Sequence, residues 1–171
     1  MKTQGDTAVA RLFVLAALIV LLAASAAAQV PTSGNIFFGY SYSRVDFGSA
    51  SANFNGWNGS LEGKVLPFVG LVADVSGHYG SGDSVHSAIF GPRVSFSIGK
   101  IRPFAHALIG VSHFGGHGSS DTSFADAFGG GVDYRLFHVL GWRFQLDDLQ
   151  TRFFSNTQND FRFSTGLVLH F

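Results

Sequence analysis

Apolar and polar side chains alternate with a period of two from about residue 29 to the C-terminus, and no window there sustains a 3.6-residue period. This alternation places successive side chains on opposite faces of β-strands. It predicts eight strands, with approximate bounds 35–45, 55–66, 69–79, 85–98, 102–113, 124–136, 138–150 and 160–171. Each reaches roughly the 9–11 residues that a tilted strand needs to cross a bilayer.

The connections between these strands are of two alternating kinds. Three are tight turns, near Pro67, Gly99-Lys100 and Phe137. Four are longer and rich in Gly, Ser, Asn and Asp, at 46–54, 80–84, 114–123 and 151–159. Short turns at one end and longer loops at the other are typical of outer-membrane barrels. We therefore predict an all-β fold, an eight-stranded antiparallel up-and-down transmembrane β-barrel.

The N-terminal segment predicts a secretory signal peptide. Lys2 and Arg11 charge its start, residues 12–22 form an apolar run, and Ala26-Ala27-Ala28 offers a small-residue cleavage site. The alternative, an N-terminal membrane helix, needs about 20 apolar residues, and this run is shorter. We expect a cleaved signal peptide at 1–28 and a barrel domain at 29–171, exported to the cell outer membrane.

Charged side chains fall on one face of each predicted strand, opposite bulky apolar ones. In the second strand, Trp57 and Leu61 share one face, whereas Glu62 and Lys64 share the other. An Arg or Lys facing lipid at the bilayer midplane costs about 2–4 kcal/mol, so the charged face must point into the barrel. We expect an interior polar network, its individual ion pairs left open, formed by Glu62, Lys64, Asp74, Arg93, His106, Asp133, Arg143, Gln145, Asp147 and Arg162.

The C-terminal residues Ser164 to Phe171 resemble the β-signal through which the barrel-assembly machinery recognises outer-membrane proteins. Gly166, Leu169 and the terminal Phe171 carry this resemblance. The mature chain also resembles the outer-membrane β-barrel domain family, related to the small OmpA and OmpX barrels. The motifs that carry it are Gly56-Trp57-Asn58-Gly59, Ala73-Asp74-Val75-Ser76-Gly77, Phe90-Gly91-Pro92-Arg93, Pro103-Phe104-Ala105-His106, Gly129-Gly130-Gly131-Val132-Asp133 and Arg143-x-Gln145-x-Asp147. The resemblance implies an integral outer-membrane protein of a Gram-negative-type envelope and no single activity.

The composition narrows the possible functions. The chain has no cysteine, which excludes disulfides and thiolate chemistry. Its 11 basic and 11 acidic residues cancel, so no basic surplus indicates nucleic-acid binding. We expect a monomeric, non-enzymatic protein without a cofactor, with a role in envelope integrity or surface adhesion. Its expected partners are outer-membrane lipids, lipopolysaccharide and, during biogenesis, the barrel-assembly machinery.

Four alternatives remain open at this stage. One is a narrow porin-like channel, and another is a soluble lipocalin-like barrel or sandwich with its apolar face inward. A lipid-modifying enzyme would need a Ser–His pair such as the one in His117-Gly118-Ser119. A metal site would draw on His113, His117 and Asp121, with His78 and His86 nearby.

Overall fold

The computed structural model describes residues 33–46, 51–80, 82–116, 119–151 and 158–171. The predicted signal peptide at 1–28 lies outside these residues. The strands are β1 (Gly34–Asp46), β2 (Ser51–Lys64), β3 (Val69–Gly80), β4 (Asp83–Ser95), β5 (Ile101–Gly116), β6 (Ser119–Arg135), β7 (Leu140–Thr151) and β8 (Gln158–His170). In this part of the chain no helix has the length and apolar character of a membrane span.

Each strand pairs antiparallel with its neighbours in sequence, and β1 pairs with β8 to close the barrel. The closing ladder runs from Asn35 opposite His170 to Asp46 opposite Asn159. Closure leaves no sheet edge with unpaired backbone groups. The predicted eight-stranded antiparallel barrel is thereby confirmed, and its two ends are defined by the connections between strands.

The turn end of the barrel carries the chain segments 65–68, 96–100 and 136–139. The Val65 and Leu66 amides both donate to the Val69 carbonyl, at 3.0 Å each, and so close the first of these turns. Gly99 has a φ of +61°, a conformation that favours glycine. The opposite end, here the loop end, joins β1 to β2, β3 to β4, β5 to β6 and β7 to β8.

The predicted loop at 114–123 is wrong. β5 continues to Gly116 and β6 begins at Ser119, and Gly115 pairs with Ser120 in the same ladder. Gly and Ser have low strand propensity, but an adjacent strand supplies hydrogen-bond partners that outweigh such local preferences. The loops at 46–54 and 151–159 are likewise shorter than predicted, because β2 begins at Ser51 and β8 at Gln158.

Side chains divide between the two faces of the barrel wall as the alternation predicts. Phe128 is 61% exposed and Phe38 65% exposed on the outer surface, whereas Arg93, Arg143 and Arg162 are fully buried inside. The apolar surface therefore faces outward and the ionised groups face inward, the reverse of a water-soluble domain.

Some interior positions are apolar rather than polar or charged. They form one cluster along β3 to β7 and further single positions; the cluster comprises Val72, Ile89, Leu108, Ala125, Ala127 and Leu149. Phe37, Phe54 and Phe104 are also buried inside. An interior just wide enough to be filled by side chains needs such volume as well as charge.

Glycines bring β1 and β8 into close contact at the closing seam. A Cβ on Gly166 would lie 2.4 Å from the Gly39 Cα and 2.4 Å from the Phe38 carbonyl oxygen. A Cβ on Gly39 would lie 2.2 Å from the Thr165 carbonyl oxygen. Both contacts are with backbone atoms, which cannot move aside without disturbing the ladder.

We expect Gly166→Ala to lower the free energy of unfolding by about 1–3 kcal/mol, as overpacked sites do. Urea unfolding of the barrel in phospholipid vesicles measures this. Gly59→Ala is the matched control, because the nearest atom to its new Cβ is 3.6 Å away. An equal cost at the two glycines would show that the seam is not tightly packed.

Candidate functional site: the charged interior

One continuous series of hydrogen-bonded side chains crosses the barrel interior and includes at least one residue from every strand. We call it the interior network. Its members, in order of contact, are Asp74, Arg162, Asp147, His106, Arg93, Glu62, Asn35, Arg143 and Asp133.

Glu62 contacts several cationic side chains in the half of the interior nearer the turn end. Its carboxylate accepts hydrogen bonds from Asn35 Nδ2 at 2.7 Å, Arg93 Nη1 at 3.3 Å and Arg102 Nη2 at 3.1 Å. Lys64 Nζ lies 3.5 Å from the same carboxylate. A single buried acid thus serves three cations, which compensates much of the cost of burying it.

Asp133 and Arg143 form a two-pronged ion pair. Arg143 Nε donates to Asp133 Oδ1 at 2.6 Å, and Arg143 Nη2 donates to Oδ2 at 2.8 Å. The ring of Phe104 contacts two guanidinium groups, with its centroid 4.3 Å from Arg93 Cζ and 4.7 Å from Arg143 Cζ. A ring face attracts cations at such distances.

Asp147 is the centre of the other half of the interior network. It accepts hydrogen bonds from His106 Nε2 at 2.7 Å, Gln145 Nε2 at 2.9 Å and Arg162 Nε at 2.8 Å. Arg162 also donates through Nη1 to Asp74 Oδ1 at 2.9 Å. Arg162 on β8 therefore links carboxylates on β7 and β3, on different sides of the lumen.

The two neighbours of His106 determine which of its ring nitrogens carries the proton. Arg93 Nη2 lies 3.0 Å from His106 Nδ1 and can only donate, so Nδ1 accepts. His106 Nε2 then donates to Asp147. A neutral imidazole with its proton on Nε2 satisfies both contacts.

All ten residues predicted for the interior lie in or against this network. Sequence reasoning missed Arg102 and Asn35, which both contact Glu62. Strand parity could have predicted the inward direction of Arg102, because Arg102 lies four residues before His106 and therefore on the same face of the strand. Asn35 gave no comparable signal, since it lies next to the start of the strand.

The residues of the predicted assembly signal take different positions on β8. Gly166 faces inward at the closing seam, whereas Leu169 and Phe171 face outward and are about half exposed, at 49% and 56%. Phe171 continues the pairing with β1 through its amide, which donates to the Gly34 carbonyl at 3.1 Å. The structure does not test recognition by the assembly machinery, which remains a prediction.

The histidines considered for a metal site point in different directions. His78 is buried inside and lies 2.9 Å from Ser41 Oγ, whereas His86 and His113 are exposed register partners on the outer surface. His117 lies outside the described residues. Within the described ranges no group of three or more metal-ligating side chains occurs. The His117-Gly118-Ser119 pair cannot be placed, because the structure does not describe those side chains.

Comparison with solved structures identifies the class of this fold. The chain is similar to the Neisserial surface protein A, NspA, with a TM-score of 0.71 and 12% identity over 81% of this chain and 97% of that one. The chain is also similar to the N-terminal β-barrel domain of Pseudomonas aeruginosa OprF, with a TM-score of 0.62 and 15% identity over 84% of this chain and 100% of that one. Similarity to Ail, the attachment invasion locus protein of Yersinia pestis, has a TM-score of 0.52 and 17% identity over 81% of this chain and 97% of that one.

These likenesses show that the chain has the fold of the small eight-stranded outer-membrane barrels. The identities are low, so the comparison establishes the fold alone. No protein-family model matches the chain, and no curated protein sequence does.

Proposed function

We propose that this chain is an integral outer-membrane β-barrel protein with a structural and surface-interaction role, in envelope integrity and adhesion. The observation that carries the proposal is the inverted polarity of the barrel wall. Large apolar side chains such as Phe38, Phe90 and Phe128 are more than half exposed, while three arginines are fully buried. Burying this apolar surface requires a hydrocarbon environment, which acyl chains supply.

The outward-facing polar and aromatic residues fit the same environment. Tyr134 and Trp142 are register partners near the turn end, and Tyr79 lies near the loop end. Aromatic side chains at both interfaces are typical of outer-membrane barrels. The outward charges Arg44 and Asp148 lie near the loop end, where the cost of a charge is small.

The filled lumen favours a structural role over the porin-like alternative. The interior network spans the barrel, and an eight-stranded interior holds little more than its own side chains. Steady large conductance in planar bilayers would reverse this preference. Adhesion is supported by two proteins of similar structure, a surface protein and an attachment invasion locus protein. The proposed role needs no catalysis, and no observation favours the lipid-modifying enzyme.

We propose one orientation of the barrel in the outer membrane. The signal peptide 1–28 directs export, the barrel-assembly machinery recognises Gly166, Leu169 and Phe171, and the monomer is inserted among phospholipid and lipopolysaccharide. The turn end faces the periplasm and the loop end faces outside, as in other outer-membrane barrels.

We expect an epitope tag inserted at residues 153–156 to be labelled on intact cells of an expressing Gram-negative bacterium. A matched tag inserted at Lys100, in a turn, should be labelled only after the cells are permeabilised. The protein should fractionate with outer membranes and migrate differently on detergent gels before and after boiling. Recovery in soluble periplasmic extract would contradict the proposal.

A further inference from the structure

The turn end opens into a cavity of about 400 Å³ whose wall is rich in cations. Lys64, Arg102 and Arg135 line it, together with Ser95 and His170. Lys64 and Arg102 are only 15% and 13% exposed, so both are largely withdrawn from solvent. A cavity of this size accommodates a small anion or a head group.

The positive charge of this cavity exceeds the negative charge around it. Glu62 contacts Arg93, Arg102 and Lys64, so three cations share one carboxylate. Asp133 lines an adjoining pocket with Arg102 and Arg135, but it already pairs with Arg143. The Arg135 side chain is exposed and makes no hydrogen bond or ion pair within the described part of the chain. Lys64 and Arg102 are withdrawn from water and only partly compensated by Glu62, so an anion in the cavity would stabilise them.

Ser95 brings two of these cations close to each other. Its Oγ accepts hydrogen bonds from Lys64 Nζ at 2.5 Å and from Arg102 Nη2 at 3.0 Å. Two like charges that meet at one hydroxyl repel each other, and the single Glu62 carboxylate, 3.5 Å from Lys64 Nζ and 3.1 Å from Arg102 Nη2, offsets this repulsion only in part. Lys and Arg side chains that converge in this way are suited to binding phosphate oxygens.

The cationic wall continues from the cavity to the outer rim. Arg135 lines the cavity and also an adjacent groove, where it lies beside Lys100 and the apolar residues Leu136, Phe137 and Val139. Phe137 and Val139 are 69% and 58% exposed. Cations next to exposed apolar side chains fit a phosphate head group joined to acyl chains.

We propose that the turn-end cavity binds a phosphate-bearing anion, with Arg102 and Lys64 contacting its oxygens and Arg135 attracting it from the rim. The source is an anionic glycerophospholipid of the surrounding leaflet or a soluble phosphate ester. The lipid source rests on the proposed membrane location, whereas the phosphate chemistry does not.

The test uses purified barrel refolded in phosphatidylcholine vesicles, with heat-modifiable migration as the check that it is folded. One arm adds phosphatidylglycerol to the vesicles, and the other adds inorganic phosphate. Quenching of tryptophan fluorescence by brominated phosphatidylglycerol, relative to brominated phosphatidylcholine, reports lipid enrichment. Calorimetric titration reports phosphate binding. We expect a folded barrel to enrich phosphatidylglycerol or to bind phosphate, and whichever arm responds identifies the source.

Arg135→Gln should weaken that binding at least tenfold while leaving folding intact, because Arg135 takes no part in the interior network. Arg102→Gln/Arg135→Gln should abolish it. Arg44→Gln, a matched change at the loop end, should leave it unchanged. Folded parent protein that responds in neither arm would overturn this inference and leave the proposed function unaffected. An equal loss of binding with Arg44→Gln would overturn it in the same way. Failure to enter vesicles would instead count against the proposed membrane location.

Discussion

Replacing Arg162 with methionine is expected to lower the free energy of unfolding by about 3–5 kcal/mol, the cost of removing one partner from a buried ion pair. Arg162 is fully buried and contacts Asp74 at 2.9 Å and Asp147 at 2.7 Å. Methionine fills much of the space but leaves both carboxylates without their cation. Urea unfolding in phospholipid vesicles measures the change.

Two further variants separate lost charge pairing from lost packing. Arg44→Met makes the same substitution at an exposed position near the loop end, and its effect should stay within about 0.5 kcal/mol. Arg162→Met/Asp74→Asn/Asp147→Asn should recover part of the loss, because the two buried acids are then neutral. If the triple variant is less stable than Arg162→Met, the unpaired carboxylates are not the cause.

Leu146→Arg is expected to lower the free energy of unfolding by about 2–4 kcal/mol, the cost of a charge near the bilayer midplane. Leu146 is 50% exposed on the outer surface, in the middle of β7, opposite Gly130 and Phe163. The expected cost arises from the acyl chains, since Leu146 already faces away from the barrel interior. Vesicle-based urea unfolding again provides the measurement.

Phe161→Arg is the matched control for depth. Phe161 is 52% exposed and lies near the loop end of β8, so its replacement should cost only about 0–1 kcal/mol. A soluble barrel would have water at both positions and would show small, equal effects. Equal costs at Leu146 and Phe161 in vesicles would therefore contradict a membrane-embedded wall.

Local patterns predicted the strands and their faces well. Leu61 and Glu62 lie on the outer and inner faces as their alternation indicates, because side-chain direction in a strand depends only on parity. Strand ends were less predictable. Ser119 and Ser120 looked like loop residues, yet they belong to β6, because pairing with β5 outweighs their own preference.

The contacts of the interior network could not be predicted in the same way. Arg162 meets Asp74 across 88 positions of the chain, and Arg143 meets Asn35 across 108. These pairs lie on strands that are not adjacent. Their distance depends on the tilt and stagger of the whole barrel, which no local window contains.

The sequence by itself determined that the chain forms alternating strands with one apolar and one charged face, since side-chain period and the cost of charge in hydrocarbon are local properties. Only the tertiary structure decided that Phe104 contacts two guanidiniums and that Lys64 and Arg102 meet at Ser95. Closing the barrel sets the register of β1 against β8, and this register together with those of the other strand pairs brings distant strands to common depths in the lumen.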